Sequence, residues 1–329
     1  MKLQKVALGA AVAAACGMGM TGNASATALA QSLLTINNFV ITNGTAGTPL
    51  ALSDFSQLSF LDSLNNTAVL NPGGSDFGNA SSGVFSPTPI DARRACVGSG
   101  CPAENTFAAV GTPPTSTYAT SDSLLSGAPI SGTAAGAAGV TADAVSTTSL
   151  LNFSGNGNSL SNILLTSGFT FETTHDISGA GFTFDATTFL QAWTAAGTIS
   201  GTSAGAGFKW ELTLVDAANG ATLIDWVPNG DIASGTQMGL TVTAEGCNLV
   251  ANASATFNQP TGPAENCTGS FAATSNVVLL ANHPYSFTIH HDVSSQAAEV
   301  EAVPEPATLA LLSVGLIGFG WVNRKRRNG

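Results

Sequence analysis

Short runs in which apolar and polar residues alternate make up most of this chain. From Leu33 onward the chain is rich in Thr, Ser, Gly, Ala, Val and Phe, and Gly, Asn and Pro interrupt the runs every few residues. β-Branched and aromatic residues that alternate with polar ones favour strands with one buried face. About ten such runs, separated by turn residues, predict an all-β fold, an antiparallel β-sandwich of jelly-roll or Greek-key type.

Two pairs of runs give more specific predictions. Residues 169–172 and 182–185 each alternate Phe with a polar residue, which predicts neighbouring antiparallel strands with Phe on the buried face. Residues 207–215 and 221–227 flank a turn that ends in an Asn-Gly dipeptide. Because Asn-Gly favours tight turns, these two runs are predicted to form a β-hairpin.

Two segments depart from the strand pattern. Phe189, Leu190 and Trp193 have the spacing of one helix face, which predicts a short helix over residues 186–196. Residues 71–144 are dense in Gly, Ser, Pro, Thr and Ala and show little periodicity. We interpret them as a long loop-rich insertion within a single exported domain over residues 27–302.

The first 26 residues are typical of a secretory signal peptide. Lys2 and Lys5 precede an apolar stretch, and the small residues Ala24, Ser25 and Ala26 follow it. This order of basic, apolar and small residues predicts cleavage after Ala26, with the small-residue pattern at residues 28–30 as a second possible cut. The remaining chain is then expected to fold outside the cytoplasm.

The C-terminal segment has the features of a transmembrane helix with a basic stop. Its apolar run of 16 residues at 307–322 would form a helix of about 24 Å, just short of the roughly 30 Å bilayer core. A basic cluster after the run favours retention on the cytoplasmic side, which predicts that the rest of the chain lies outside. The cluster consists of Arg324, Lys325, Arg326 and Arg327.

A rigid acidic triplet, Pro304, Glu305 and Pro306, stands directly before this helix. The triplet, the apolar run and the basic cluster, in this order, resemble the PEP-CTERM sorting signal over residues 303–329. The resemblance implies a Gram-negative bacterium, recognition by an exosortase, cleavage near the triplet, and release or attachment of the outer part at the cell surface. The alternative is a plain C-terminal membrane anchor.

The region from Phe182 to Val300 is similar, more loosely, to exosortase-dependent surface proteins of undetermined activity. This resemblance implies a shared sandwich and a surface location, and it carries over no catalytic residues. The segments that carry it are 182–193, 210–215, 225–230 and 285–291.

The charge of the exported part excludes nucleic acid as a partner. All 20 acidic residues lie between Asp54 and Glu305, whereas Arg93, Arg94 and Lys209 are the only basic residues outside the two terminal segments. Nucleic-acid binding needs a cationic surface that displaces counterions. The negative charge instead keeps a surface protein soluble or attracts divalent cations.

Four cysteines remain once the N-terminal segment is removed. An even number of cysteines in an oxidising compartment predicts disulfides. Their spacing suggests two local pairs, although four cysteines permit three connectivities. The candidates are Cys96 with Cys101 and Cys247 with Cys267.

Histidines and carboxylates give few indications of chemistry. If His290 and His291 lie on a strand, they point to opposite faces, so a shared metal is not expected. Asp216, Asp225 and Asp231 place oxygen ligands in two successive turns, and calcium prefers such donors. Because Asp also occupies turns for backbone reasons, we predict no required cofactor, with calcium as the alternative.

Two functional hypotheses remain. The first is a non-catalytic surface or extracellular-matrix protein, adhesive or glycan-associated, exported in an exopolysaccharide or biofilm context, with an exosortase and the membrane as its processing partners. The second is a secreted carbohydrate-active enzyme on a jelly roll, because glycosidases need only two carboxylates. No catalytic motif is present in the sequence. Paired carboxylates in a cleft would favour the enzyme, and buried tryptophans would favour the first hypothesis.

Overall fold

The structure is a computed structural model that describes residues 27–299, apart from 45–46, 60, 85–87, 152–154, 166–169, 197, 199, 261 and 263. The described residues belong to one compact unit, Ser25–Val300. The signal peptide predicted over residues 1–26 and the sorting segment predicted over 303–329 lie outside them. Within the described ranges no helix has the length and apolar character needed to cross a membrane.

Strands account for most of the described residues. The first ten are β1 (Thr27–Asn43), β2 (Thr48–Pro49), β3 (Phe55–Ser59), β4 (Asp62–Asn71), β5 (Gly74–Ser82), β6 (Ile90–Gly98), β7 (Tyr118–Ala128), β8 (Gly139–Leu151), β9 (Gly155–Leu165) and β10 (Thr170–Thr173). The next ten are β11 (Ile177–Ser178), β12 (Gly181–Thr194), β13 (Ser203–Asp216), β14 (Thr222–Val227), β15 (Thr236–Met238), β16 (Leu240–Glu245), β17 (Val250–Thr256), β18 (Ala264–Ser275), β19 (Val278–Leu279) and β20 (Tyr285–Glu299). A 3₁₀ turn at Leu52–Asp54 precedes β3.

The strands form two large antiparallel sheets. The first sheet has the order β16-β18-β12-β1-β8-β7-β6, with β2 beside β1. The second has the order β15-β14-β13-β20-β9-β4-β5, with β17 also paired to β13 and with β10 bridging β20 and β3. β11 and β19 form a separate two-stranded ribbon. The predictions of an all-β fold and of antiparallel pairing are confirmed.

Side chains from both large sheets meet in one aromatic core. Phe184 of the first sheet lies 4.6 Å from Trp210 of the second, measured between ring centroids. Phe184 also stacks on Phe271 at 4.6 Å, and Trp210 meets Trp226 edge-on at 5.7 Å. Trp210 is 1% exposed and Trp226 is fully buried. The tryptophans therefore pack in the core, as expected for structural rather than ligand-binding rings.

Hydroxyl groups replace apolar contacts in another part of the interior. Ser146 of β8 lies 2.5 Å from the hydroxyl of Ser159 on β9, and Ser159 lies 2.8 Å from that of Ser295 on β20. Thr148 of β8 also reaches the Ser295 hydroxyl at 2.9 Å. Because these buried groups bond one another across the two sheets, their removal from water is compensated.

The prediction of a loop-rich insertion over residues 71–144 is wrong. β5, β6 and β7 lie within it, and β8 begins there. Small and polar residues occupy the buried positions: Thr120 donates to the Ala95 carbonyl at 3.0 Å, and Ser121 donates to the Thr67 carbonyl at 2.9 Å. The interior here is hydroxyl-rich, so the strands lack the apolar periodicity by which a buried strand is recognised in sequence.

The predicted helix over residues 186–196 is also wrong. Most of that segment is the second half of β12, which pairs with β1 on one side and β18 on the other. Partners from distant parts of the chain supply backbone hydrogen bonds on both edges, and tertiary pairing of this kind overrides local helical spacing.

Two specific strand predictions have different outcomes. The hairpin is confirmed, because β13 and β14 pair antiparallel and Gly220 takes a left-handed φ of 77° in the turn between them. The two Phe-Thr-Phe segments are not neighbours. β10 pairs with β20 and β3 in the second sheet, whereas β12 lies in the first. Phe171, Phe182 and Phe184 are nevertheless buried, as the alternation predicts.

Candidate functional site

A groove crosses the outer face of the second sheet where β9, β20, β13 and β17 lie side by side. It has a volume of about 440 Å³ and is open to solvent. That volume lies within the roughly 300–1,000 Å³ typical of ligand sites. Its outward-facing residues are Asn158, Leu160, Gly205, Asn252, Ser254, Ser294 and Gln296. We call this feature the outer groove.

Strand register aligns these residues in two rows across the four strands. The first row is Asn158, Gln296, Gly205 and Ser254. The second row is Leu160, Ser294, Gly207 and Asn252. Because neighbouring strands lie about 4.8 Å apart, each row is roughly 14 Å wide. The rows are two residues apart on every strand, so they face the same side of the sheet.

Gly205 of β13 lies in the floor of the outer groove, and Gly207 follows it two residues further on the same face. A Cβ at Gly205 would lie 3.2 Å from Nε2 of Gln296, and one at Gly207 would lie 2.3 Å from Oδ1 of Asn252. The amide ends of the neighbouring side chains therefore occupy the space above β13 that other residues would fill. Glycine weakens a strand interior and often marks a place where another group approaches the backbone closely.

The lining of the outer groove is polar and uncharged. Asn158, Asn252, Ser254 and Gln296 are exposed, and their side chains make no hydrogen bond to another described residue. Their donors and acceptors are therefore available to a ligand. Leu160 is 44% exposed at the end of the second row and adds an apolar surface.

A charged row follows the outer groove along the same face. Lys209 of β13 stands opposite Asp292 of β20 and forms an ion pair with Glu211. Asp225 of β14 lies on the neighbouring strand. Burial raises the pKa of Asp225, the Glu211 carboxylate raises it further, and Lys209 opposes both. Asp225 and Glu211 are thus two carboxylates that this row brings close together.

The structure does not bring the calcium candidates together. Asp216 accepts hydrogen bonds from Ala218 N and from His283 Nε2, each at 2.9 Å, and Asp231 accepts one from Ala233 N at 2.9 Å. Both side chains thus stabilise their own turns. Asp225 lies within β14 instead of a turn. Among the described residues no group of three or more His, Cys, Asp or Glu could hold a metal ion.

Hydrogen bonds account for the pKa values of these two turn carboxylates. Burial opposes ionisation of Asp216, but donors from Ala218 and His283 outweigh it and hold the pKa of its carboxyl below the usual value. Hydrogen bonds from Ser234 and Ala233 likewise lower the pKa of Asp231. Asp231 is exposed and Asp216 is partly buried, and each accepts hydrogen bonds from backbone N–H groups of its own turn. These shifts therefore describe turn geometry and give no sign of a reactive site.

The adjacent histidines point to opposite sides of β20, as predicted. His291 is 1% exposed and its Nε2 donates to the Leu34 carbonyl at 2.9 Å, while His290 lies on the outer face opposite Glu211. Burial lowers the pKa of His291 to about 3, and the Leu34 carbonyl opposes that shift. His291 is therefore neutral at physiological pH and belongs to the core.

Both predicted disulfides are present. They join Cys96 with Cys101 and Cys247 with Cys267. The first lies where β6 ends and the chain begins to cross the outer face of the first sheet.

The side chain of Gln31 holds that crossing segment in place. Its Nε2 donates to the Ala108 carbonyl at 2.9 Å, and its Oε1 accepts from Val110 N at 2.7 Å. Asn105 N also donates to Asp122 Oδ2 at 2.6 Å. Residues 102–117, which sequence composition suggests are loop, are thereby fixed to the first sheet.

Asp62, at the start of β4, is an acidic side chain buried on the inner face. It is 2% exposed, and burial raises its pKa to about 7. Because the folded state keeps a proton that the unfolded state releases near pH 4, stability falls as the pH rises from about 4 to 7 and stays low above that. We expect Asp62→Asn to stabilise the protein at pH 8 by about 4 kcal/mol.

Urea denaturation at pH 5 and pH 8 checks this prediction. Asp76→Asn is the control with the opposite sign, because a hydrogen bond from Arg93 lowers the pKa of Asp76 to about 2. Loss of the Asp76 carboxylate is therefore expected to destabilise the protein at pH 8. Equal stability of wild type and Asp62→Asn at both pH values would contradict the assignment.

Comparison with known proteins bears on the C-terminal segment. Residues 302–327 match the model of the PEP-CTERM protein-sorting motif. Such a motif implies export and a surface or membrane-associated location in Gram-negative bacteria. The chain carries a PEP-CTERM sorting motif, the signal of exosortase substrates, and the resemblance seen in the sequence is confirmed.

The remaining comparisons add little. No curated protein matches the chain. A crystal structure of the infectious bursal disease virus VP2 subviral particle has 11% identity over 89% of this chain and 86% of its own, with a TM-score of 0.10. A structure of the Gx strain of the same virus has 12% identity over 88% and 87%, also with a TM-score of 0.10. At this TM-score neither likeness bears on fold or function.

Sequence reasoning missed the outer groove. Its residues come from four strands that are far apart in the chain, and only the register brings them into rows. One local signal was present. Gly205 and Gly207 occupy alternate positions of an otherwise regular strand, where glycine is unfavourable unless something approaches the backbone.

Proposed function

We propose that the protein is a non-catalytic surface or matrix protein that associates with extracellular glycan. Its exported domain is a β-sandwich of jelly-roll or Greek-key type, and an exosortase processes the chain at the C-terminal motif. The observation that carries the proposal is the sorting motif at residues 302–327. Such a motif commits the chain to export and to processing outside the cytoplasm. The glycan association is supported by the exposed, uncharged hydrogen-bonding lining of the outer groove.

Glu305 is expected to decide the location of the protein. Glu305→Ala removes the charge between the two prolines that precede the apolar run. The variant is expected to stay in the inner-membrane fraction, because the unprocessed apolar run and its basic stop hold it there. Wild type is expected in the surface or extracellular fraction. Immunoblotting of separated cell fractions measures the difference.

Glu301→Ala provides the matched control for this experiment. It removes the same charge four residues earlier, outside the triplet, and is expected to fractionate like wild type. Identical fractionation of wild type and both variants would contradict processing at the triplet and would favour a plain anchor.

A secreted carbohydrate-active enzyme is the second candidate. One observation favours it: the pKa of Asp225 is raised by burial and by the Glu211 carboxylate, and glycosidases use two carboxyl groups with different pKa values. We place it second because Glu211 is ion-paired to Lys209 and because the described lining of the outer groove holds no carboxylate. Release of reducing sugar from a neutral polysaccharide, lost in Asp225→Asn, would promote the enzyme hypothesis.

A further inference from the structure

We propose that the outer groove is the glycan-binding site and that its ligand is a neutral polysaccharide chain. This inference rests on the proposed function and deepens it, because it names the site and the chemical class of the ligand. The two rows of residues that cross β9, β20, β13 and β17 supply the contacts.

The donors and acceptors of the outer groove suit sugar hydroxyls. An amide presents an N–H donor and a carbonyl acceptor side by side, so it can bond two neighbouring hydroxyls at once. Asn158, Gln296 and Asn252 provide three such groups, and Ser254 adds a hydroxyl. None of these side chains bonds to another described residue. Leu160 offers its exposed apolar surface to the C–H face of a sugar ring.

The floor of the outer groove gives these amides their position. Gly205 and Gly207 have no side chain, so the amide ends of Gln296 and Asn252 extend over β13 while they stay exposed to solvent. The polar groups therefore lie along the sheet, at the bottom of a trough that is open to solvent. A polymer can enter such a trough from the side, whereas an enclosed pocket would accept only a chain end.

Charge selects a neutral ligand over an anionic one. The lining of the outer groove contains no cation, and the chain has a formal net charge of −11 at pH 7 even with the basic terminal segments included. Lys209, the nearest cation on this face, is ion-paired to Glu211. An anionic polysaccharide would be repelled by the acidic surface and would find no basic partner in the groove.

Affinity gel electrophoresis tests the proposal with the protein purified from the cells that produce it. Gels contain dextran, galactomannan or arabinogalactan as neutral polymers, or polygalacturonate as the anionic one. Retardation is expected with at least one neutral polymer and not with polygalacturonate. Asn252→Ala and Gln296→Ala are each expected to weaken binding about 5-fold, the effect of one ordinary hydrogen bond.

Gly205→Val is the decisive variant because it fills the trough with a β-branched side chain that suits an exposed strand. It is expected to abolish retardation. Thr213→Val is its matched control, since Thr213 lies on the same strand and the same face outside the outer groove. Asn65→Ala, on the outer face of β4, is the control for the amide variants. Both controls are expected to bind like wild type.

Three results would overturn the proposal. They are the absence of retardation with every neutral polymer, stronger retardation by polygalacturonate than by the neutral ones, and unchanged retardation of Gly205→Val. A change in the sedimentation of Gly205→Val without a change in polymer binding would identify the outer groove as a protein interface instead. The sorting proposal is tested by a different experiment, the fractionation of cells that produce Glu305→Ala. Failure of the glycan-binding proposal in the gel experiment therefore leaves the sorting proposal standing.

Discussion

Acidification from pH 7 to pH 3 is expected to remove about 4 kcal/mol of stability through His291 alone. Burial lowers the pKa of this side chain to about 3, whereas an exposed histidine in the unfolded chain titrates near 6.5. Between these values the unfolded state binds a proton that the folded state does not bind. The stabilising contribution is therefore complete above about pH 6.5 and is lost as the pH falls to about 3.

His291→Gln isolates this contribution. Glutamine keeps an N–H donor for the Leu34 carbonyl, which His291 Nε2 contacts at 2.9 Å, but it does not titrate in this range. Urea denaturation of the variant is expected to show a shallower decline between pH 6.5 and pH 4 than that of wild type. His290→Gln, on the outer face of the same strand, is expected to keep the wild-type slope. Parallel curves for all three proteins would mean that His291 is not buried as a neutral base.

Trp210→Ala is expected to cost about 3–5 kcal/mol of stability, the usual range for removing a large aromatic side chain from a core. Trp210 is 1% exposed and contacts Phe39, Phe184 and Trp226 at ring distances of 6.3, 4.6 and 5.7 Å. Its removal leaves a cavity between the two sheets that these rings cannot fill without leaving their rotamers.

Phe77→Ala is the matched control for Trp210→Ala. Phe77 is an aromatic residue on β5 with 59% exposure, so its removal is expected to change stability by less than about 0.5 kcal/mol. Thermal or urea unfolding of both variants measures the difference. A cost below 1 kcal/mol for Trp210→Ala would mean that the aromatic core does not hold the two sheets together.

Local patterns predicted the parts of the fold that depend on neighbours in sequence. Alternation gave the strand class, and the Asn-Gly turn gave the hairpin of β13 and β14. The helix prediction failed because the partners of β12 lie in β1 and β18, which are distant in the chain. The loop prediction failed because residues such as Ser121 and Ser123 are buried and bonded, whereas sequence reasoning treats serine-rich segments as exposed.

The functional features divide in the same way. The sorting motif is a linear signal, so its sequence suffices to recognise it, and the comparison at residues 302–327 confirms it. The outer groove is a product of register. Asn158 and Gln296 are brought together only because β9 pairs with β20. The spacing of residues within one strand cannot predict which residues of other strands lie beside them. In the sequence, only the two glycines of β13 indicate that another group approaches this strand closely.

The central claim is that an exported domain is processed at the Pro304-Glu305-Pro306 triplet. The most direct test is to measure the intact mass of the protein recovered from the cell surface. The expected species begins at Thr27 and ends near Pro304, and it is absent when Glu305 is replaced by alanine. A surface species that retains Arg324–Arg327 in both wild type and variant would contradict the claim, because the C-terminal segment would then be a permanent anchor.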